Sequence, residues 1–369
     1  MNNIAITLHN FIIENFGIDI NLSLAISYFL IALIFWSFLG VIGGLLTFLE
    51  RRVAGRIQSR IGPNRVGPQG IFQMLADGIK LVLKEDLIPA LADKPLFRMA
   101  PYLCVIGVFS ALVVIPFSSD IVVADLNVGV LYALAITTMV VMGILMGSWA
   151  SNNKWSLLGG LRSAAQIVSY EIPAALSVLS IVLITGSLSM QDIIRAQGAW
   201  PHQWFFFHNP GTFVAFFIFF TSALAENNRV PFDIPEAESE LVAGYNTEYS
   251  GMRFSFFFLA EFANVFIISS LAVIFFFGGW QIPHFLISEN HIITNIIMIA
   301  NFLFKTFVFI FIVLWLRWTL PRLRVDQLMT MCWKYLIPIS FICLCITASF
   351  VLFFGGKSMI AVFIGRITQ

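Results

Sequence analysis

Charge is what this sequence has least of. Only 11% of its 369 residues are Asp, Glu, Lys or Arg, while 59% are hydrophobic and 15% aromatic; an ordinary globular protein carries about 25% charged residues. So few charges cannot cover a soluble surface, which excludes a soluble enzyme, a disordered chain and a nucleic-acid binder. The net charge of +1 implies no polyanionic partner. Cysteine is scarce as well. Cys104, Cys332, Cys343 and Cys345 contain no Cys-x-x-Cys pair, so neither a disulfide framework nor a zinc or iron–sulfur site is expected. The five histidines, His9, His202, His208, His284 and His291, fall outside the long apolar stretches, leaving no bis-histidine pair for a transmembrane haem. The phosphate-loop motif and the glycine-rich strand-to-helix fingerprint are both missing, so no nucleotide site is read from a known motif. Any redox centre is expected in a partner.

What the sequence has in quantity is long apolar runs. A bilayer core about 30 Å thick needs about 20 mostly apolar residues per helix. Eight stretches qualify: 27–48, 98–118, 129–149, 163–187, 212–226, 254–277, 297–318 and 332–354, the fifth being the shortest. The chain therefore reads as an all-α polytopic membrane protein, a single transmembrane domain over 1–369 with about eight spans. Lys and Arg collect in cytoplasmic loops during insertion. Seventeen of the 21 basic residues fall in the loops after spans 1, 3, 5 and 7, and Arg195, Lys357 and Arg366 fall on the opposite face. Both termini are expected on the non-cytoplasmic side. With no Lys or Arg before Arg51, the first stretch is a poor signal peptide and is read as a mature span.

The first cytoplasmic loop, 50–97, is too long for a simple connector. It opens with Glu50-Arg51-Arg52, Arg56 and Arg60, then runs through Gly62-Pro63-Asn64-Arg65-Val66-Gly67-Pro68-Gln69-Gly70, where glycines and prolines force a non-helical path. Residues 70–84 read as an amphipathic helix. Ile71, Leu75, Ile79, Val82 and Leu83 share one face, with Gln73, Asp77, Lys80 and Lys84 on the other. Too short and polar to span, it should lie in the interface plane. It either anchors the loop or frames an opening through which an amphipathic ligand passes from lipid into the protein.

A charge near mid-bilayer costs about 2.5–3.5 kcal/mol on insertion scales and marks a functional site by default. Three stand out: Glu171, Glu261 and Lys305. At 1.5 Å per residue, both acids lie roughly 12 Å deep and the lysine roughly 20 Å. Such a set has the chemistry of a proton relay, unless Lys305 simply forms a structural ion pair with either acid. The third cytoplasmic loop, 226–253, carries Glu226, Asp233, Glu236, Glu238, Glu240 and Glu248 against Arg229 in its first 23 residues. Pro231 and Pro235 keep the preceding backbone extended. An acidic cluster on the face where positive charge should dominate reads as a funnel delivering protons to Glu171 and Glu261.

These motifs occur in a specific order. Glu50-Arg51-Arg52, Gln58-Ser59-Arg60-Ile61-Gly62-Pro63-Asn64-Arg65-Val66-Gly67-Pro68, Ala76-Asp77-Gly78-Ile79-Lys80, Ser169-Tyr170-Glu171, Ala225-Glu226-Asn227-Asn228-Arg229-Val230-Pro231-Phe232-Asp233, Glu236-Ala237-Glu238-Ser239-Glu240-Leu241, Ala260-Glu261 and Pro321-Arg322-Leu323-Arg324-Val325-Asp326-Gln327-Leu328-Met329 together resemble the NADH-quinone oxidoreductase H-subunit family, whose mitochondrial members are called NADH dehydrogenase subunit 1. The resemblance covers about residues 30–350. It implies the heel of the membrane arm of respiratory complex I, a translocase that couples quinone reduction to proton pumping. This chain would hold no redox centre; FMN and the iron–sulfur cluster that reduces ubiquinone or menaquinone would sit in partner subunits, the peripheral arm above all.

Mapped onto this sequence, the resemblance makes 50–97 the quinone-entrance loop and Arg51, Arg52, Arg60, Asp77 and Lys80 candidates for the quinone passage. It makes 226–253 the coupling loop, and Glu171, Glu226, Arg229, Asp233, Glu236, Glu238, Glu240, Glu261 and Lys305 candidates for the proton relay. It also implies small membrane-arm subunits and lipid as neighbours. The wording of residues 62–70 favours a bacterial inner membrane over the mitochondrial one. Two other readings fit the composition: the membrane anchor of an energy-converting hydrogenase, which binds no quinone, and a stand-alone secondary transporter, which calls for inverted repeats.

Overall fold

The computed structural model describes residues 9–10, 13–14, 19–235 and 238–354. Among them every regular element is a helix: α1 (Ile20–Ile57), α2 (Gln73–Leu83), α3 (Lys94–Leu112), α4 (Gly129–Ala150), α5 (Lys154–Thr185), α6 (Met190–Ala196), α7 (Pro210–Glu226), α8 (Glu238–Leu241), α9 (Gly251–Phe276), α10 (His291–Thr319), α11 (Val325–Thr330) and α12 (Ile337–Phe354). A π-helical turn, Met331–Leu336, joins the last two into one continuous rod. Seven of these rods are long and apolar enough to cross a membrane, so the chain is a polytopic membrane protein. The fifth expected span, α7, has 17 residues, roughly 26 Å at 1.5 Å per residue, just under the hydrocarbon thickness. Asn209 and Thr212 cap its start reciprocally, which fixes where this short helix begins.

α9 is the mast of the bundle. In its most apolar window 83% of residues are buried, against 17–50% in the other spans, so its all-round hydrophobic sequence faces protein rather than lipid. α1 reaches it through glycine. A Cβ on Gly43 would meet Leu259 of α9 at 2.7 Å, and one on Gly44 would meet Met74 of α2 at 3.1 Å. The pair lets α1 lie against both neighbours, as small residues do between membrane helices.

Two boundaries differ most from the sequence expectation. α1 runs on to Ile57, so Glu50, Arg51, Arg52 and Arg56 are helical and not part of an irregular loop. Apolarity stops at the bilayer edge, but the backbone hydrogen-bond ladder continues until Gln58. α5 begins at Lys154, nine residues before the expected span, with Asn153 accepting from the Trp155 amide at its start.

Beyond α1 the chain turns sharply at Gly67 and Gly70, both at positive φ; a Cβ on Gly70 would sit 2.3 Å from the Pro63 carbonyl oxygen. α2 follows with no buried residue. Leu75, Ile79, Val82 and Leu83 remain exposed in one row, the arrangement of a helix lying in a membrane interface. Its exit is tied to α9: Ser250 Oγ donates to the Glu85 carbonyl at 3.1 Å and accepts from the Leu87 amide at 3.2 Å, and Arg253 pairs with Asp86 at 2.9 Å.

Candidate functional site

A row of alternating charges is buried where α1, α9 and α10 meet the turn after α7. Arg229 donates to Glu50 at 3.1 Å and lies 3.0 Å from Glu261, while Arg317 of α10 donates to the other Glu50 oxygen. Arg229 is 1% exposed, and its guanidinium stacks 4.4 Å from the Phe262 ring centroid. In a low-dielectric interior a charge persists only beside an opposite one. Each of these four has such a neighbour.

A residue outside the helices reaches that depth because its turn is stapled. The buried Gln166 amide of α5 donates to the Ala225 carbonyl at 2.6 Å, to Asn228 Oδ1 at 3.1 Å and to the Phe232 carbonyl at 3.0 Å. These bonds fold the chain after α7 back on itself, with Asn228 at φ 49°, and aim Arg229 inward.

Two cavities flank the row. One of about 280 Å³ is lined by Glu50, Arg51, Arg229, Glu261 and Arg317, with Phe254, Phe258 and Phe262 on its apolar side. The other holds about 20 Å³ and is lined by Glu226, Asn227, Glu261 and Asn264. That is room for one water between two carboxyl groups. Glu226, at the last position of α7, has an enclosed Oε1 with no hydrogen-bond partner among the described residues. It also lies within the field of the half-buried Glu171 on α5. Glu171, Glu226 and Glu261, from three elements, thus converge on one region of the bundle.

Two of the expected passage residues, Arg51 at the edge of the larger cavity and Lys80, meet Asp77. Arg51 donates to Asp77 Oδ2, Gln73 donates to Oδ1 at 3.1 Å, and Lys80 lies 3.4 Å from that oxygen. Burial raises the Asp77 carboxyl, but the bonds from Arg51 and Gln73 and the charges of Arg51 and Lys80 outweigh it, holding the group below the usual carboxylate range. Arg52 turns to Gln69 at 3.2 Å and packs over Phe48. Arg60 is exposed in the turn beyond α1 and lines neither cavity.

The acidic loop divides into two sets. Glu226 points into the protein, whereas the outer acids are tied to residues of other elements. Asp233 accepts from Arg322 through its main-chain oxygen at 2.6 Å and lies 3.4 Å away through its carboxylate; Glu240 accepts from Arg162 at 2.6 Å and Glu248 from Asn153 at 2.6 Å. The Arg162 bond, foremost, lowers the Glu240 carboxyl. Glu236 and the Glu238 side chain lie outside the described residues.

Lys305 stands apart from the acids. Its ammonium donates to the Phe277 carbonyl at 2.9 Å and the Gly279 carbonyl at 3.1 Å, over the Trp204 ring. It therefore caps the C-terminal end of α9, where helix carbonyls lack partners and favour a cation.

Sequence reasoning passed over Glu50, Arg317 and Gln166. Glu50 and Arg317 looked like flanking loop charges, and a pairing across 267 positions leaves no local pattern. Glu50 did carry one signal, as the acid directly preceding two arginines at the end of an otherwise uncharged span.

Residues 29–348 match the family model described as NADH dehydrogenase. The chain is 52% identical over 330 residues to the NADH-quinone oxidoreductase H subunit of Anaeromyxobacter dehalogenans, covering 85% of this chain and 79% of that one. It is 50% identical over 310 residues to the H subunit of Chlorobaculum parvum, at 82% and 86% coverage. It is 47% identical over 321 residues to that of Brevibacillus brevis, at 86% and 92%.

Proposed function

The chain belongs to the NADH dehydrogenase family as a relative of the H subunit of NADH-quinone oxidoreductase, and from that membership together with its buried charges we propose that it forms a quinone passage joined to a proton relay. It is a multi-pass membrane subunit of that oxidoreductase, complex I, and its partners are other subunits of the complex. The finer assignments are proposals: a translocase, seated in a bacterial inner membrane with both termini on the non-cytoplasmic side, docked under the peripheral-arm subunits that carry FMN and the iron–sulfur clusters.

The single observation that carries the reading is the continuity of polar groups. Arg51 and Asp77 border α2 at the surface. Glu50, Arg229, Glu261 and Arg317 line the larger cavity behind them, and Glu261 shares a water-sized space with Glu226, next to Glu171. A quinone headgroup given two electrons by a partner subunit near Arg51 and Arg229 would build negative charge on its oxygens and draw in two protons, changing the local charge beside Glu50 and Glu261. The row transmits that change because its members are ionically linked. Glu226 and Glu171 then gain or lose a proton in response. Arg52, Arg60 and Lys80 complete the basic mouth of the passage, and Asp233, Glu236, Glu238 and Glu240 the cytoplasmic rim of the relay. Lys305, an expected member of the relay, is assigned instead to holding the end of α9.

The test is Glu226→Gln in the whole complex reconstituted in proteoliposomes. The complex should assemble, with NADH:quinone turnover and the accompanying proton gradient falling together by about a hundredfold or more, the loss typical of a positioned proton-transfer group. Unchanged turnover and pumping would remove Glu226 from the relay.

A further inference from the structure

At the end of the bundle away from the acidic loop, α1, the turn after α3 and α10 leave a groove of about 220 Å³. Ile31, Ile34, Phe35 and Phe38 form one wall, with Phe117 and Ile299 opposite, and no polar surface faces it. Phe117 meets Phe35, Phe38 and Phe302 edge-on at 5.6–6.1 Å, which holds the floor rigid. Ile34 is 59% exposed, so the groove opens outward to the lipid side of α1.

One end of the groove meets a polar cluster. Ile121 forms its lip, and the neighbouring Asp120 accepts from Asn295 Nδ2 at 3.0 Å and lies 3.3 Å from His291 Nε2. Asn295 sits one turn above Ile299 on α10, and His291 one turn higher, at the helix's first residue. The cluster therefore stands at headgroup level directly over an apolar slot. No Lys or Arg occurs in 113–129 or 281–300, while Asp120, Asp125 and Glu289 do.

The wall decides what kind of occupant fits. Membrane helices pack through Gly, Ala, Ser and Thr, which let backbones approach; this wall is Ile and Phe, so a neighbouring helix would ride over the slot and leave it empty. A flexible hydrocarbon chain fills it by dispersion contacts. The acidic rim, with no Lys or Arg in either segment, selects the polar end. We propose that the groove binds one acyl chain of a primary-amine phospholipid, its ammonium donating to Asp120 and its phosphate lying beside His291. A choline headgroup lacks N–H donors and a glycerol headgroup lacks the positive charge. The site rests only on the chain spanning a membrane, so it stands or falls separately from the quinone reading.

The experiment places the purified complex in nanodiscs doped with a phosphatidylethanolamine carrying a diazirine in one acyl chain, or with the matching phosphatidylcholine. Crosslinked peptides are then mapped. The amine probe should label the peptides bearing 31–38 and 299 about fivefold more than the choline probe, the size of one partly exposed ion contact. Asp120→Asn should erase that preference, and Ile34→Trp with Ile299→Trp should reduce labelling by both probes. Equal labelling by the two headgroups in the unaltered complex would overturn the proposal. So would labelling spread evenly over the exposed face of α12, or capture of a neighbouring polypeptide by a photo-crosslinking residue placed at position 34.

Discussion

Arg229→Leu is the sharpest probe of the buried charge row. The substitution keeps apolar bulk over Phe262 and removes the cation between Glu50 and Glu261. Glu50 keeps its contact with Arg317, so one carboxylate, Glu261, loses its arginine. Breaking a buried pair from one side costs about 3–5 kcal/mol, because a charge is left in low dielectric. Removing that charge as well relieves the penalty, so the pair Arg229→Leu and Glu261→Gln should recover about 1–3 kcal/mol of it. The measurement is a double-mutant cycle by denaturant titration of the chain in mixed micelles, followed through its nine tryptophans. A single-variant loss below about 1 kcal/mol, the value of an exposed pair, would refute the claim that the charges at Arg229 are buried and mutually dependent. Strict additivity of the two substitutions would refute it as well.

Asp77→Asn opens a partly exposed pair worth up to about 1 kcal/mol, so the apparent quinone affinity should fall by no more than about fivefold while assembly persists. Because the Asp77 pKa is held low in the fold, the contact is complete above the ordinary carboxylate pKa and is lost only as pH falls through the lower folded value. Wild-type quinone affinity should therefore show no Asp77 titration between about pH 6 and 8, and a carboxylate inflection there would contradict the geometry. Lys305→Met removes two hydrogen bonds from a charged donor, each worth about 1.5–3 kcal/mol; thermal inactivation should come earlier with turnover per assembled complex unchanged, whereas a loss of turnover at normal stability would place the lysine in the relay. Glu240→Gln weakens a solvent-accessible tie to Arg162 and the attraction of the nearby Arg322 and Arg324 charges, so its effect on coupled turnover should stay below about fivefold, and a loss as large as that of Glu226→Gln would mean the rim is as important as the interior.

How far the sequence carried the fold depends on which signal a residue leaves. The spans were legible because apolar runs must match a bilayer, and Glu171 and Glu261 because a carboxylate there is costly. α7 was legible but short. The continuation of α1 through Ile57 was not, since helical hydrogen bonding outlasts hydrophobicity. Within the site, Glu226 and Arg229 stood out as charges joined to a span, yet the partner of Arg229 could not be read, because Glu50 is 179 positions away. Read alone, the acidic loop looked like a uniform run. Arg162 and Arg322, which tie part of it down, come from other elements and were counted only as markers of orientation.

α1 carries two very different contacts along its length, the apolar groove at 31–38 and the ion pair at Glu50. As a straight rod of 38 residues it is about 57 Å long. One degree of tilt moves its end by about 1 Å, more than the few tenths by which a hydrogen bond can lengthen before it weakens. Tilt is also how a long helix adjusts to a thinner or thicker bilayer. Glu50 rides on this lever, so membrane thickness becomes an input to the spacing between Glu50 and Arg229. In the proposed relay, that spacing would make proton movement respond to the mechanics of the surrounding lipid.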